Sequence, residues 1–190
     1  AAGEGVMRLE TPLCREDLTE LRAGQSVHLS GVVFTARDQA HRRILDALDQ
    51  GAEPPFPLRG QVIFYAGPSP APPGRVVGAV GPTTSTRMDA FAPALYRRGL
   101  AATIGKGRRG DSVRDAIRET GGVYWVMTGG VAALMARCVQ VCTCLAYPDL
   151  GPEAVYRMVV RDLPLVVGID PLGQDVYALT ETLVQGGIHG

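Results

Sequence analysis

Three short apolar runs, each ending in a glycine loop, constrain this chain more than any other feature. "QVIFYAG" ends at Gly67, "LAATIGKG" at Gly107 and "VYWVMTGG" at Gly130, and helix-like segments separate them. Such runs suit buried strands, and the helical patterns that alternate with them suit α/β packing. The expectation is an α/β fold, in which polar loops gather at strand ends and sites form there.

The remaining segments extend this pattern. "REDLTELRAGQ" from Arg15 reads as a short helix ended by Gly24, and "SVHLSGVVFTA" from Ser26 as strand. "RDQAHRRILDALDQG" sets Ala40, Ile44, Leu45 and Leu48 on one helical face, with Gly51 at the C′ position. Pro54 to Pro57 is a connector, and "PSPAPPG" from Pro68 to Gly74 cannot be helical. "RVVGAVG" from Arg75 reads as a strand leading into a loop, after which Asp89 caps a helix that carries Pro93 as its fourth residue. Asp111 is expected to cap "DSVRDAIRETGG", and "VAALMARCV" to form a small-residue helix. "VQVCTCLAY" and "LPLVVGID" read as buried strands, and Tyr124, Trp125 and Met127 as core. The chain divides into an N-terminal extension or expression remnant (1–8), one domain (9–180) and a C-terminal tail (181–190).

Charge excludes some partners. Lys plus Arg equals Asp plus Glu at 19 each, so no global field draws the chain to nucleic acid or a membrane surface. No apolar run reaches the length of a membrane span. The four cysteines lack the spacing of a secreted scaffold and no signal-peptide pattern is present, so a reducing cytoplasm is expected.

The polar surplus lies in three loops: "FTARDQAH", "GPTTSTRMD" and "IGKGRRGD". A turn at Gly81-Pro82 does not need Thr83, Thr84 and Arg87 within five positions of one another. Gly81 to Met88 joins a strand end to a helix start, where backbone N–H groups collect and anions are favoured. If the loops meet at one sheet edge, Arg37, Arg87 and Lys106 surround a pocket suited to a small dianion, each charge-assisted hydrogen bond being worth about 1.5–3 kcal/mol. Singly, each cation reads more readily as a helix cap or an ion-pair partner, and the three together weaken that reading.

"FTARDQAH", "GPTTSTRMDAF", "IGKG" and the later "TGG", in that order, resemble the β subunit, or C-terminal domain, of iron–sulfur hydro-lyases: class I fumarases and L-tartrate dehydratases. The resemblance runs from about Thr11 to about Tyr177. It implies a swivelling β/β/α domain packed on a larger α part that carries a [4Fe–4S] cluster, which this chain does not ligate. It implies reversible addition of water across a carbon–carbon double bond between two carboxylates. Thr83 matches the threonine proposed as base for the proton on the carbon beside a carboxylate. Thr84, Arg87, Arg37 and Lys106 match residues that hold the carboxylates. "DLGPEAVY" and "GKGRRGD" depart from the family pattern, at loops that do not include Thr83, Arg87 or Arg37.

These residues point to the β subunit of a two-subunit hydro-lyase interconverting fumarate and malate. The alternatives are a tartrate dehydratase β subunit, and a non-catalytic module that binds a small dicarboxylate with the same cations. Thr83 could also act only as a donor, with a partner residue taking the proton. "GKGRRGDS" lacks the spacing of a phosphate loop. Cys138, Cys142 and Cys144 read as core packing, because the last two share a strand face. His41 reads as a residue that hydrogen-bonds a site residue from behind, and Arg109 as a loop end.

Overall fold

The computed structural model describes residues 5–127 and 131–187. The expected "TGG" at Thr128 to Gly130 therefore lies outside the described residues. In chain order the elements are β1 (Met7–Glu10), α1 (Arg15–Thr19), β2 (Ser26–Thr35), α2 (Asp38–Asp49), β3 (Val62–Phe64) and a 3-10 helix (Ser85–Met88). There follow α3 (Ala92–Arg97), β4 (Ala102–Gly105), α4 (Asp111–Thr120), β5 (Val123–Val126) and α5 (Val131–Cys138). The chain continues with β6 (Val139–Ala146), a second 3-10 segment (Pro148–Glu153), β7 (Val155–Ile169) and α6 (Val176–Gly186). The domain boundary drawn at residue 9 thus falls within a strand, and the tail drawn at 181 within a helix.

One mixed sheet organises the α/β fold, in the order β1-β2-β3-β4-β5-β7-β6. The four strands β2 to β5 run parallel. β7 runs antiparallel and pairs both with β5 and along the whole of β2, from Ser26↔Val166 to Thr35↔Tyr156. This second pairing closes β2, β3, β4, β5 and β7 into a barrel-like ring. β1 extends the edge of β2 beside β3, and β6 hangs on the first half of β7.

Side chains of the central strands alternate between two cores. Val62, Phe64, Val123 and Trp125 pack with Val27, Leu29, Leu163 and Leu165 on one face. Ile63 and Tyr65 face the other way, against Ala40 and Ile44 of α2 and Leu95 of α3. Tyr124 and Val126 pack under α4 with Val113, Ala116 and Ile117. Strands buried on both faces show as continuous apolar runs, which is why they stood out in the sequence. α2 ends as expected, with Gly51 at φ +74 just past it.

Several expectations are corrected. α1 stops at Thr19, well before Gly24. "RVVGAVG" is loop: it folds back on its own proline-rich arm, where Ser69 N–H donates to Ala79 O at 2.9 Å, so its β-branched residues never enter the sheet. Asp89 caps no helix N-terminus; it closes the first 3-10 helix, and α3 begins at Ala92 with Pro93 in its first turn. Gly110 takes the N-cap position of α4, and Asp111 sits in its first turn. "LPLVVGID" is the second half of a 15-residue strand. β6 is not buried: Val141 and Leu145 are exposed, Cys144 is exposed and Cys142 half-buried, because this strand pairs on one side alone. Of the three neighbouring cysteines Cys138 is buried in the core.

Candidate functional site

Because β2, β3, β4 and β5 are parallel, the loops after Thr35, Phe64 and Gly105 leave the ring at one edge, where β5 also ends. Arg37 occupies the N-cap of α2 with extended backbone. After β3 the chain makes its long proline-rich excursion and returns to the same edge, where Thr83 N–H donates to Tyr65 O at 2.7 Å. Thr84 then pairs with Lys106 in an isolated parallel bridge, and Ser85 N–H donates to Lys106 O at 2.9 Å. Thr83 and Thr84 just before the 3-10 helix, Arg87 on it, and Lys106 just past β4 are thereby joined through backbone.

Arg37 joins this group through its neighbour Asp38. Arg87 Nη2 donates to Asp38 Oδ2 at 3.1 Å, with the arginine side chain 51% and the aspartate 23% exposed. A Cβ at Gly67 would stand 3.2 Å from Arg37 Cδ and 2.7 Å from Pro152 O, so glycine is what lets the Arg37 stem lie there. Among the described residues, Arg37 Nε and Asp38 Oδ1 are buried without a hydrogen-bond partner. A buried polar atom left unmade costs about 1–3 kcal/mol, so one donor and one acceptor stand ready at the first turn of α2. Thr83 is half-buried, whereas Thr84 and Lys106 face outward.

His41 supports Arg37 from behind. Its Nδ1–H donates to the Arg37 carbonyl at 2.8 Å, and the ring lies 5.5 Å from the rings of both Tyr65 and Phe91. Burial pushes its pKa from 6.5 down to about 4, so it is neutral at pH 7 with a bare Nε2. It is sealed at 0% exposure and cannot carry protons to a ligand.

A residue that sequence reasoning missed is Arg109. Its side chain is wholly buried, and its Nε donates to Asp89 Oδ1 at 2.7 Å. Nothing in "GKGRRGD" separates it from its neighbour Arg108, which is exposed and pairs with Glu181 of α6.

At the opposite end of the strands, a hollow of about 470 Å³ is lined by Arg15, Arg59 and Arg97. There the cations meet the carbonyl ends of α3 and α4, and Arg97 is already paired with Glu119. Helix C-termini repel anions, so the strand-end edge is the better anion site.

The thiols of this chain do not fit an iron–sulfur cluster. Burial raises the Cys138 and Cys142 pKa values, which disfavours the thiolates that ligate metal. Among the described residues no group of three or more His, Cys, Asp or Glu is placed to hold a metal ion.

A mixed α/β ring with arginine, lysine and threonine residues at the parallel strand ends is the class that fold and site define. Residues 3–180 match the family model described as Fumarase C-terminus, and the chain belongs to that family. It is 38% identical to Fumarate hydratase 2 of Leishmania major over 168 residues, 87% of this chain and 30% of that protein. It is 35% identical to the anaerobic class I fumarate hydratase of Escherichia coli K12, covering 84% of this chain and 30% of that protein. A putative L(+)-tartrate dehydratase subunit beta of Methanocaldococcus jannaschii is 34% identical, with 87% of this chain and 88% of that protein covered. The chain thus spans about a third of the length of the fumarate hydratases it matches and most of the separate beta subunit. No helix among the described residues is long and apolar enough to cross a membrane.

Proposed function

We propose that this chain is the β subunit of a two-subunit hydro-lyase that interconverts fumarate and malate, built as a swivelling β/β/α domain. The observation that carries the reading is the gathering of Arg37, Arg87 and Lys106 at one strand-end edge by the Thr84–Lys106 bridge and the Asp38–Arg87 pair. Three cations beside hydroxyl and backbone donors suit a dianion of two carboxylates. The names of the relatives, fumarate hydratase and tartrate dehydratase, supply the reaction class.

In this reading Arg37, Thr84, Arg87 and Lys106 grip the two carboxylates. Thr83, on the same turn, handles the proton of the carbon beside one of them. The partner corresponds to the part of the longer relatives that this chain does not span, and it carries the [4Fe–4S] cluster. A tartrate dehydratase β subunit is the second reading, favoured by the match in length to the separate M. jannaschii subunit.

The test is anaerobic assay of this chain with its cluster-bearing partner and of each alone, on fumarate, malate and tartrate. Fumarate–malate turnover in the mixture alone supports the reading, and Thr83→Ala is then expected to assemble normally and lose about a hundredfold or more in kcat. Tartrate turnover in its place selects the second reading, and near wild-type turnover by Thr83→Ala removes the base assignment. Dicarboxylate binding with no turnover by any mixture would leave the non-catalytic module.

A further inference from the structure

Directly behind the strand-end loops lies a buried guanidinium that the reading above does not use. The Arg109 side chain is 0% exposed, and its counter-ion Asp89 is 18% exposed. Its Nε donates to Asp89 Oδ1 at 2.7 Å, Nη1 to Thr103 Oγ1 at 3.0 Å and Nη2 to Tyr65 OH at 3.0 Å. Its centre also lies 5.1 Å and 4.8 Å from the ring centres of Tyr65 and Tyr124. One planar fork therefore touches the end of β3, the interior of β4, an aromatic of β5 and the 3-10 helix.

The protons of Tyr96, Thr103, Tyr124 and Ser85 near it are committed. Tyr96 OH donates to Val123 O at 2.7 Å, so Thr103 donates to Tyr96 at 2.8 Å and accepts from Arg109. Tyr124 OH donates to Gly107 O at 2.8 Å, so Ser85 donates to Tyr124 at 2.7 Å. Asp89 Oδ2 accepts from Gly110 N–H at 2.6 Å. The network ties Ser85 and Asp89, at the two ends of the helix that bears Arg87, to Gly107 and Gly110, which flank the loop after Lys106. The Ser85–Gly107 tie runs through the Tyr124 ring stacked on Arg109, and the directly bonded Asp89–Gly110 pair is held by Arg109 through the other carboxylate oxygen.

We propose that Arg109 is a positioning residue for dicarboxylate binding: without touching the ligand, it sets where Thr84 and Arg87 stand relative to Lys106. This rests on the proposed reading of the site. A lysine cannot replace it, because an ammonium has neither the planar fork nor the face that stacks between two rings. Displacement of gripping residues by about 1 Å costs up to about a hundredfold in a preorganised site.

Arg109→Lys and the milder Tyr65→Phe, which removes one hydroxyl partner and keeps the ring, are compared with wild type and with Arg97→Lys, an exposed ion-pair control. Two measurements are made on each: KM and kcat of the chain assembled with its partner, and amide hydrogen exchange of the chain alone. For Arg109→Lys, KM for fumarate is expected to rise about tenfold or more, with kcat falling less. Tyr65→Phe should show a smaller rise of the same kind, and Arg97→Lys none. Exchange at Ser85, Arg87 and Asp89 should quicken selectively while β2 and α4 keep wild-type protection. Folded variants with wild-type KM, or exchange that quickens uniformly through the chain, would overturn the proposal. If Arg109→Lys does not fold, Tyr65→Phe alone decides. Should wild type turn over no diacid, the reaction reading fails; Arg109 is then judged on exchange at the 3-10 helix and succinate binding, and unchanged values of both would sink it as well.

Discussion

Acid is expected to unfold this protein through His41. The imidazole is fully buried, and burial is the main reason its pKa falls from 6.5 to about 4. The hydrogen bond to the Arg37 carbonyl opposes the shift, the charge of Arg109 adds to it and that of Asp38 opposes it. In the unfolded chain the ring takes a proton near pH 6.5, whereas the folded chain resists until about pH 4. Between those values the unfolded state binds more protons, so stability is full above the window and is lost as pH falls through it. The loss from this one residue is about 2 kcal/mol at pH 5 and about 3 kcal/mol at pH 4. Urea unfolding of wild type and His41→Asn at pH 7.5, 6 and 5 measures it, since asparagine can still donate to the Arg37 carbonyl but does not titrate. The variant starts less stable at pH 7.5 through lost ring packing, but its stability should fall by about 2 kcal/mol less on going to pH 5. Carboxyls such as Asp17, held low by its hydrogen bond from Cys14, titrate in both proteins and cancel. Equal pH slopes for the two proteins would refute the assignment.

A Cβ at Gly105 would press on Ser85 Oγ and stand 2.9 Å from the Tyr65 ring, so Gly105→Ala should cost about 1–3 kcal/mol in chemical denaturation and raise KM with it. Arg37→Lys and Arg87→Lys, made separately in the assembled enzyme, should each raise KM about tenfold or more, because lysine offers a point charge where the site needs a fork. Arg87→Lys should leave the melting temperature nearly unchanged, since its pair with Asp38 is half-exposed. Leu145→Lys on the free edge of β6 should raise the solubility of the isolated chain, read from its aggregation threshold, by charging an uncharged edge strand.

Legibility in the sequence followed burial. β3, β4 and β5 could be read because strands buried on both faces have no polar phase to confuse them, and α2 and α4 because one apolar face repeats at helical spacing. "RVVGAVG" failed on the same rule: β-branched residues suit a strand, but whether they join a sheet is decided by the proline-rich arm they fold against. β6 failed in the opposite direction, since a run with no charges reads as buried even at an open edge. The site cations stood out because local turn chemistry has no use for them. Arg109 did not, because its partners Asp89, Thr103 and Tyr65 come from three separate elements, and no local spacing announces such a meeting.

The proposed chemistry also shows why this wall alone should hold a diacid without converting it. Arginines do not give up a proton, Asp38 is paired to Arg87, and His41 is sealed beneath Arg37. With Lys106 assigned to a carboxylate in the proposed reading, the Thr83 hydroxyl is left as acceptor. If its pKa is near that of water, standing ionised at pH 7 costs about 12 kcal/mol. Even two cations placed about 4 Å from it, at a surface-like dielectric, would return about 8 kcal/mol, before the cost of drying the site. The deficit means Thr83 cannot wait as an alkoxide; it can only pass a proton on as it receives one. In the proposed reading that acceptor stands on the partner's facing wall, so turnover is expected to require assembly even where binding does not.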